Sequence, residues 1–215
     1  MRRADPPPAV WLIPLLALLI LPSMGQGPIG TRLAVLFTEL LLGLPILLGT
    51  PQELRPGILP NRALTPAWRR ALWLAPLPLA VLYQVLHLGV QGLLPPDPAA
   101  EATLRDLLTP GSPLEGALIG LSLLGLAPVM EEILYRGLLP WLWRRHLGTP
   151  GALWGPALLF AASHGSLRAL PSLWLLGLAL GWARERSGSL WPGMALHLAV
   201  NLTGWLAWRH GLGAG

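Results

Sequence analysis

Seven apolar stretches follow one another along the chain, at roughly 9–24, 31–50, 71–94, 114–143, 151–166, 169–186 and 190–209, with two long connections, 51–68 and 95–115, and short ones elsewhere. A helix of about 20 apolar residues crosses a hydrocarbon core of about 30 Å, so stretches of this length constrain the fold more than any single motif does. Apolar residues make up 53% of the chain and charged residues only 12%, too little charge to cover the surface of a water-soluble globule. The expected fold class is therefore all-α, a polytopic membrane bundle of about seven transmembrane helices.

The charges that remain read as topology signals. All fifteen cationic residues are Arg, a usage that, with the abundant Ala, Leu, Gly and Pro, points to a GC-rich bacterial genome and a bacterial inner membrane. The net charge of +5 would suggest nucleic acid in a soluble protein, but these Arg residues lie singly or in pairs between apolar spans, and no nucleic-acid partner is expected. Arg2, Arg3, Arg55, Arg62, Arg69, Arg70, Arg144, Arg145, Arg184 and Arg186 fall on one side of the spans, against Arg32, Arg105, Arg168 and Arg209 on the other. Positive residues favour the cytoplasmic side, so the N-terminus is expected inside and the protein multi-pass in the cell membrane. Ser23-Met24-Gly25 resembles a cleavage site, but six further spans favour an uncleaved first helix. The connection 95–115 is expected as an outward loop, with Pro95-Pro96-Asp97-Pro98 as a helix stop. The absence of Cys excludes disulfides, thiolate metal sites and a cysteine nucleophile.

Polar residues inside the spans call for an explanation, because each ionisable group at the centre of a lipid-facing helix costs roughly 2.5–3.5 kcal/mol. The fourth span holds three of them, in Met130-Glu131-Glu132-Ile133-Leu134-Tyr135-Arg136. Glu132 and Arg136 are four apart, on one helical face in the favourable order for an ion pair. Glu131 points about 100° away and has no such partner in its own helix. The fifth span places Phe160 and His164 four apart, and the seventh does the same with His197 and Asn201. At about 1.5 Å per residue, the three helices carry these groups at overlapping depths, as one shared cavity requires. A carboxylate, two imidazoles and a carboxamide suit hydrolysis by activated water: the carboxylate takes a proton, one His holds the water, and the other His and the Asn stabilise an oxyanion. Ser163 reads as a backbone-bonding helix serine.

Glu131-Glu132-x-x-x-Arg136, Phe160-x-x-x-His164 and His197-x-x-x-Asn201 together resemble the three successive motifs of the CPBP family of intramembrane proteases, which includes the CAAX prenyl endopeptidases and bacterial Abi and bacteriocin-immunity relatives. The resemblance covers roughly residues 114–205, and it divides the chain into N-terminal helices and loops, 1–113, and a catalytic core, 114–209. It implies a helix bundle around a cavity open to the cytoplasm. It further implies that Glu131 activates water with help from His164, that His197 and Asn201 form the oxyanion site, and that Glu132 with Arg136 supports them. Phe160 completes the second motif as the candidate substrate contact. Membrane lipids and a peptide or membrane-protein substrate are the expected partners. No cofactor is assigned: a metal-free glutamate chemistry and a zinc site of Glu131, His164 and His197 both remain open, because the ligands would come from three helices.

Two other classes of function fit parts of this pattern. Buried carboxylates and imidazoles also build proton relays, and Glu39, Gln84 and His87 would extend one in a proton-coupled transporter, although the absence of a repeat relating two halves of the chain weighs against it. A non-catalytic scaffold or immunity protein would keep the fold and act by binding.

Overall fold

The computed structural model describes residues 65–211. The expected spans 9–24 and 31–50, the cleavage-like Ser23-Met24-Gly25 and Glu39 lie outside them. Among the described residues every regular element is helical: α1 (Pro66–Leu74), α2 (Pro76–Gly92), α3 (Pro98–Leu108), α4 (Pro113–Leu121), α5 (Ala127–Glu132), α6 (Leu139–Ala162), α7 (Leu170–Ser187) and α8 (Trp191–Arg209). Two π-helical segments, Ser122–Leu126 and Ile133–Leu138, lie on either side of α5.

The chain marks its helix starts with proline, whose fixed φ suits the first turn and whose missing N–H costs nothing there. Three of these starts carry a side-chain cap: Thr65 accepts from the Trp68 amide, Asp97 from Ala100 and Ser112 from Glu115, each satisfying an otherwise orphaned donor. Asp97-Pro98 thus ends one helix region and opens another. The connection expected as a loop at 95–115 contains α3, because a capping Asp followed by Pro-Ala-Ala-Glu is a helix start as well as a stop.

From α4 through α6 the backbone is helical over Pro113–Ala162, the one described stretch long and apolar enough to cross a membrane on length and composition. Fifty residues would extend about 75 Å, far more than a bilayer. The stretch folds back at Gly148, whose φ of 65° and ψ of −172° are open only to glycine, and Pro150 starts the returning half. The Tyr135 ring consequently meets the Phe160 ring at 5.5 Å. The spans expected at 114–143 and 151–166 are the two arms of this hairpin. Helices α2, α7 and α8, of 17, 18 and 19 residues, occupy the stretches expected at 71–94, 169–186 and 190–209. The described residues give the all-helical class, and the expected count of seven rests partly on spans outside them.

Helix α8 runs antiparallel to α4 and α5, with Gly193 against Glu132 and Trp205 against Gly120, and α2 lies along its other side, where the Gln84 amide donates to the Val200 carbonyl at 2.9 Å. Helix α7 closes on α6 through small residues: a Cβ at Gly177 would lie 3.0 Å from the Ala157 carbonyl oxygen, a close approach of the kind that joins helices where lipid removes the hydrophobic drive. One core gathers Ile133, Leu138, Leu142, Leu190 and Met194, and a second gathers Ala80, Phe160, Leu176, Leu180 and Val200. The polar groups sit between them. Leu77, Leu82, Val85 and Leu93 point outward from α2 and its end, an apolar exterior suited to lipid.

Candidate active site

Glu132 is 0% exposed and is held from three sides. Its Oε1 lies 3.1 Å from Arg136 Nη1 and 3.3 Å from His197 Nδ1, and its Oε2 abuts Gly193 on α8. The Arg136 contact is ionic rather than a directed hydrogen bond, and the guanidinium sits over the Phe160 ring with Cζ 4.1 Å from its centre. Burying both charges together is tolerable only because each meets the other. The ion pair stands as the four-residue spacing requires.

The close approach at Gly193 leaves no room for a side chain, since a Cβ there would meet Glu132 Oε2. Gly193→Ala is expected to push the carboxylate off His197 and lower stability by about 1–3 kcal/mol, as overpacking does. A depressed melting temperature in detergent, with reduced activity, is the result to look for.

The same imidazole joins Glu132 to Glu131. A carboxylate only accepts, so His197 Nδ1 is protonated toward Glu132, and its Nε2 faces Glu131 Oε2 at 3.6 Å. That separation exceeds a direct hydrogen bond, and the Glu131 oxygen has no hydrogen-bond partner. Glu131 is 30% exposed where Glu132 is sealed. One carboxylate is thus committed to structure while its neighbour stands open, the division expected from their positions round the helix.

Phe160 is completely buried and lies at the centre of the cluster. It is edge-on to Tyr135 at 5.5 Å, His164 at 4.9 Å and His197 at 5.5 Å. With Arg136 over its face it supports the site from beneath, and it offers no free face as the expected substrate contact. His164 lies two residues past the end of α6, and its Nδ1–H donates to the Phe160 carbonyl at 2.8 Å, leaving Nε2 as an acceptor. Asn201 stands one turn beyond His197, and its amide donates to the Leu123 carbonyl at 2.8 Å. Leu123 lies in the first π-helical segment, where the widened turn displaces the regular ladder and frees a carbonyl for such a bond.

The structure therefore joins Glu131, Glu132, Arg136, Phe160 and His197 directly, with His164 against the same ring and Asn201 a turn away. It differs from expectation in one pairing: the imidazole beside Glu131 is that of His197, while His164 contacts Phe160. Among the described residues no three His, Cys, Asp or Glu side chains are grouped closely enough to hold a metal ion, so Glu131, His164 and His197 do not fit a zinc site in this arrangement. Gln84 and His87 bond within the packing: Gln84 to Val200 and Thr203, and His87 to Ser172 and Gln91.

Tyr135 and Gly193 belong to the site and escaped the sequence reading. Tyr135 had a signal, because it lies four residues after Glu131; Gly193 had none, because its role is contact with a residue on another helix.

No curated protein and no solved structure matches the chain. A family model described as Rce1-like, type II CAAX prenyl endopeptidase, matches residues 113–203. That match takes in Glu131, Glu132, Arg136, Phe160, His164, His197 and Asn201. The segment that carries the whole cluster is thus similar to the Rce1-like type II CAAX prenyl endopeptidases.

Proposed function

We propose that this chain is an intramembrane endopeptidase that hydrolyses a peptide bond of a membrane-associated protein or peptide with water activated by Glu131. The observation that carries the proposal is the contrast between the two adjacent carboxylates: Glu132 is sealed against Arg136 and His197, and Glu131 is 30% exposed beside the same imidazole. In the reaction, Glu131 takes a proton from water as the water oxygen bonds to the scissile carbonyl carbon, whose π electrons move onto oxygen. His197 lies between the two carboxylates, with Nδ1 3.3 Å from Glu132 and Nε2 3.6 Å from Glu131. Its Nε2–H then donates to the oxyanion, and the second N–H of Asn201 is available for the same oxygen. His164 Nε2 accepts from the attacking water. Collapse of the tetrahedral intermediate breaks the C–N bond, and Glu131 returns its proton to the leaving amine.

The cytoplasmic N-terminus, the cytoplasm-facing cavity, the seven-span count and a bacterial inner-membrane location form part of the same proposal. Arg144–Glu185 and Trp68–Trp182 contacts support the orientation by bringing Arg69, Arg70, Arg144, Arg145, Arg184 and Arg186 to one end of the bundle.

Purified protein in lipid vesicles, incubated with membrane-tethered peptides, is expected to release two fragments that together gain one water in mass. Intact peptides throughout a broad panel would overturn the proposal. The mechanism is written without a metal, a reading supported by the lack, among the described residues, of three His, Cys, Asp or Glu side chains grouped to hold one. Dialysis against a strong chelator is therefore expected to leave the rate unchanged within about twofold, whereas a bound catalytic zinc would be lost with its activated water. Loss of activity restored by zinc would replace the glutamate chemistry with a metal-assisted one.

A further inference from the structure

The returning half of α6 and helix α7 pack against each other and turn Trp154, Leu158, Leu175 and Trp182 outward. This face is short. Between the bend at Gly148 and the turn at 163–169, the helix from Pro150 to Ala162 extends about 20 Å at 1.5 Å per residue. Gly148 and Gly165, with φ of 65° and 69°, give both flanking turns non-helical backbone, and Leu147 and Leu167 beside them are exposed. Exposed backbone of this kind does not lie within hydrocarbon, where its polar groups would find no partner. Helix α7 repeats the length: its uncharged part, from Leu170 to Ala183, also extends about 20 Å before Arg184-Glu185-Arg186. On α8, Trp191 and Trp205 stand about 21 Å apart along the axis, and tryptophans favour the two membrane–water boundaries. Arginine sits over a Trp ring at each end, Arg186 on Trp182 with Cζ at 5.7 Å and Arg209 on Trp205 at 5.5 Å. The three helices agree on a depth about 10 Å less than an ordinary hydrocarbon core of about 30 Å.

We propose that the face formed by α6 and α7 is built for a locally thinned bilayer, its partner being lipid whose hydrocarbon is about 20 Å deep beside these helices. The inference rests on the proposed placement in a membrane and is independent of the chemistry at Glu131. Tilting relieves a helix that is too long for its bilayer; a short one must thin the lipid or reach water through its flanking side chains. Side chains can extend in this way, but the backbone of a turn cannot. Both rims of the face are also pinned. Arg168 donates to the Gln91 carbonyl at 2.9 Å and pairs with Glu101 of α3 at 2.7 Å, fixing the 163–169 turn to the end of α2. Arg144 pairs with Glu185 across the other rim. Between the rims, a Cβ at Gly177 would lie 3.0 Å from the Ala157 carbonyl oxygen, so the two helices cannot slide along each other without collision. Lipid chains deform far more readily than a packed helix pair, and the bilayer is the partner that adjusts. Helix α2, about 25 Å from Pro76 to Gly92, is longer, so the thinning is deepest beside α6 and α7.

The chain contains no Cys, so a cysteine introduced at an exposed position is the only one to label. Leu147→Cys and Leu167→Cys put a nitroxide at each rim of the face, and Leu158→Cys puts one between them. With the full chain reconstituted in dioleoyl phosphatidylcholine vesicles, both rim labels are expected to collide several-fold more often with a water-soluble nickel chelate than the label at position 158, which meets chiefly the oxygen dissolved in lipid. The unfolding midpoint of the unlabelled protein is expected to be highest in vesicles of short myristoleoyl chains and to fall stepwise through oleoyl to erucoyl chains. A rim label sheltered from nickel, or a midpoint highest in oleoyl or erucoyl vesicles, would overturn the thinning. A label at position 158 shielded from nickel and oxygen alike would put protein on this face in place of lipid, and would overturn it too. Failure of the membrane placement is separable: alkaline carbonate would then strip the chain from the vesicles and all three labels would meet nickel equally, ending both readings. Failure of the endopeptidase proposal leaves these readouts untouched, since wild type and Glu131→Gln would process peptides alike while the labels kept their pattern.

Discussion

Glu131→Gln is expected to reduce peptide cleavage by roughly 10²–10⁴-fold, the range set by loss of a positioned general base, while leaving the protein folded. The amide keeps the shape of the carboxylate and cannot take the proton of water. Stability should change little, because Glu131 is partly exposed and its Oε2 faces His197 at 3.6 Å without a hydrogen bond. Single-turnover cleavage beside a melting curve in the same detergent separates the two effects. A variant as active as the wild type would remove Glu131 from the chemistry. A variant that fails to fold would move Glu131 to the structural side of the cluster, beside Glu132.

Arg136→Ala is expected to act in the opposite sense, primarily on stability. It strips Glu132 of its cation inside the protein, where removing one member of a buried pair costs about 3–5 kcal/mol. It also removes the guanidinium from the Phe160 ring, 4.1 Å from its Cζ. The residual contact from His197 Nδ1 at 3.3 Å places the expected loss toward the lower end of that range. Chemical unfolding in detergent measures it. Pairing Glu132→Gln with Arg136→Met distinguishes support from catalysis, because replacing both charges by groups of similar volume is often neutral or stabilising. Recovered stability without recovered cleavage would show that the ion pair acts on the reaction through His197. Unaltered stability in Arg136→Ala would show that Glu132 is held by His197 and the α8 backbone alone.

What the sequence revealed depended on whether a contact was local. The Glu132–Arg136 pair follows from four-residue spacing on one helix. The separate orientations of Glu131 and Glu132 follow from the 100° step, whereas Asp97-Pro98, expected as a helix stop, also opens a helix whose capping signal is just as local. Contacts between helices leave no comparable trace. Depth counting placed Glu131, His164 and His197 at similar levels, but which imidazole faces Glu131 depends on how α8 and α6 rotate about their axes. The counting also assumed straight α-helices, and the route from Glu131 to His164 passes through a π-helical segment, the turn at Gly148 and the end of α6. Phe160 is expected as a substrate contact from its place in the second motif. It is instead enclosed, since Arg136, Tyr135 and both imidazoles converge on it.

The two π-helical segments give this site an adjustable register. Each widened turn takes up one residue more than an α-helical turn over a similar length, so losing one residue from Ile133–Leu138 with a return to regular winding keeps the downstream faces and the membrane-crossing length nearly intact. The same loss from a regular turn would swing everything beyond it by about 100°. Changes of length, ordinarily confined to loops, can thereby be absorbed at the centre of a span without dismantling the helix that carries it.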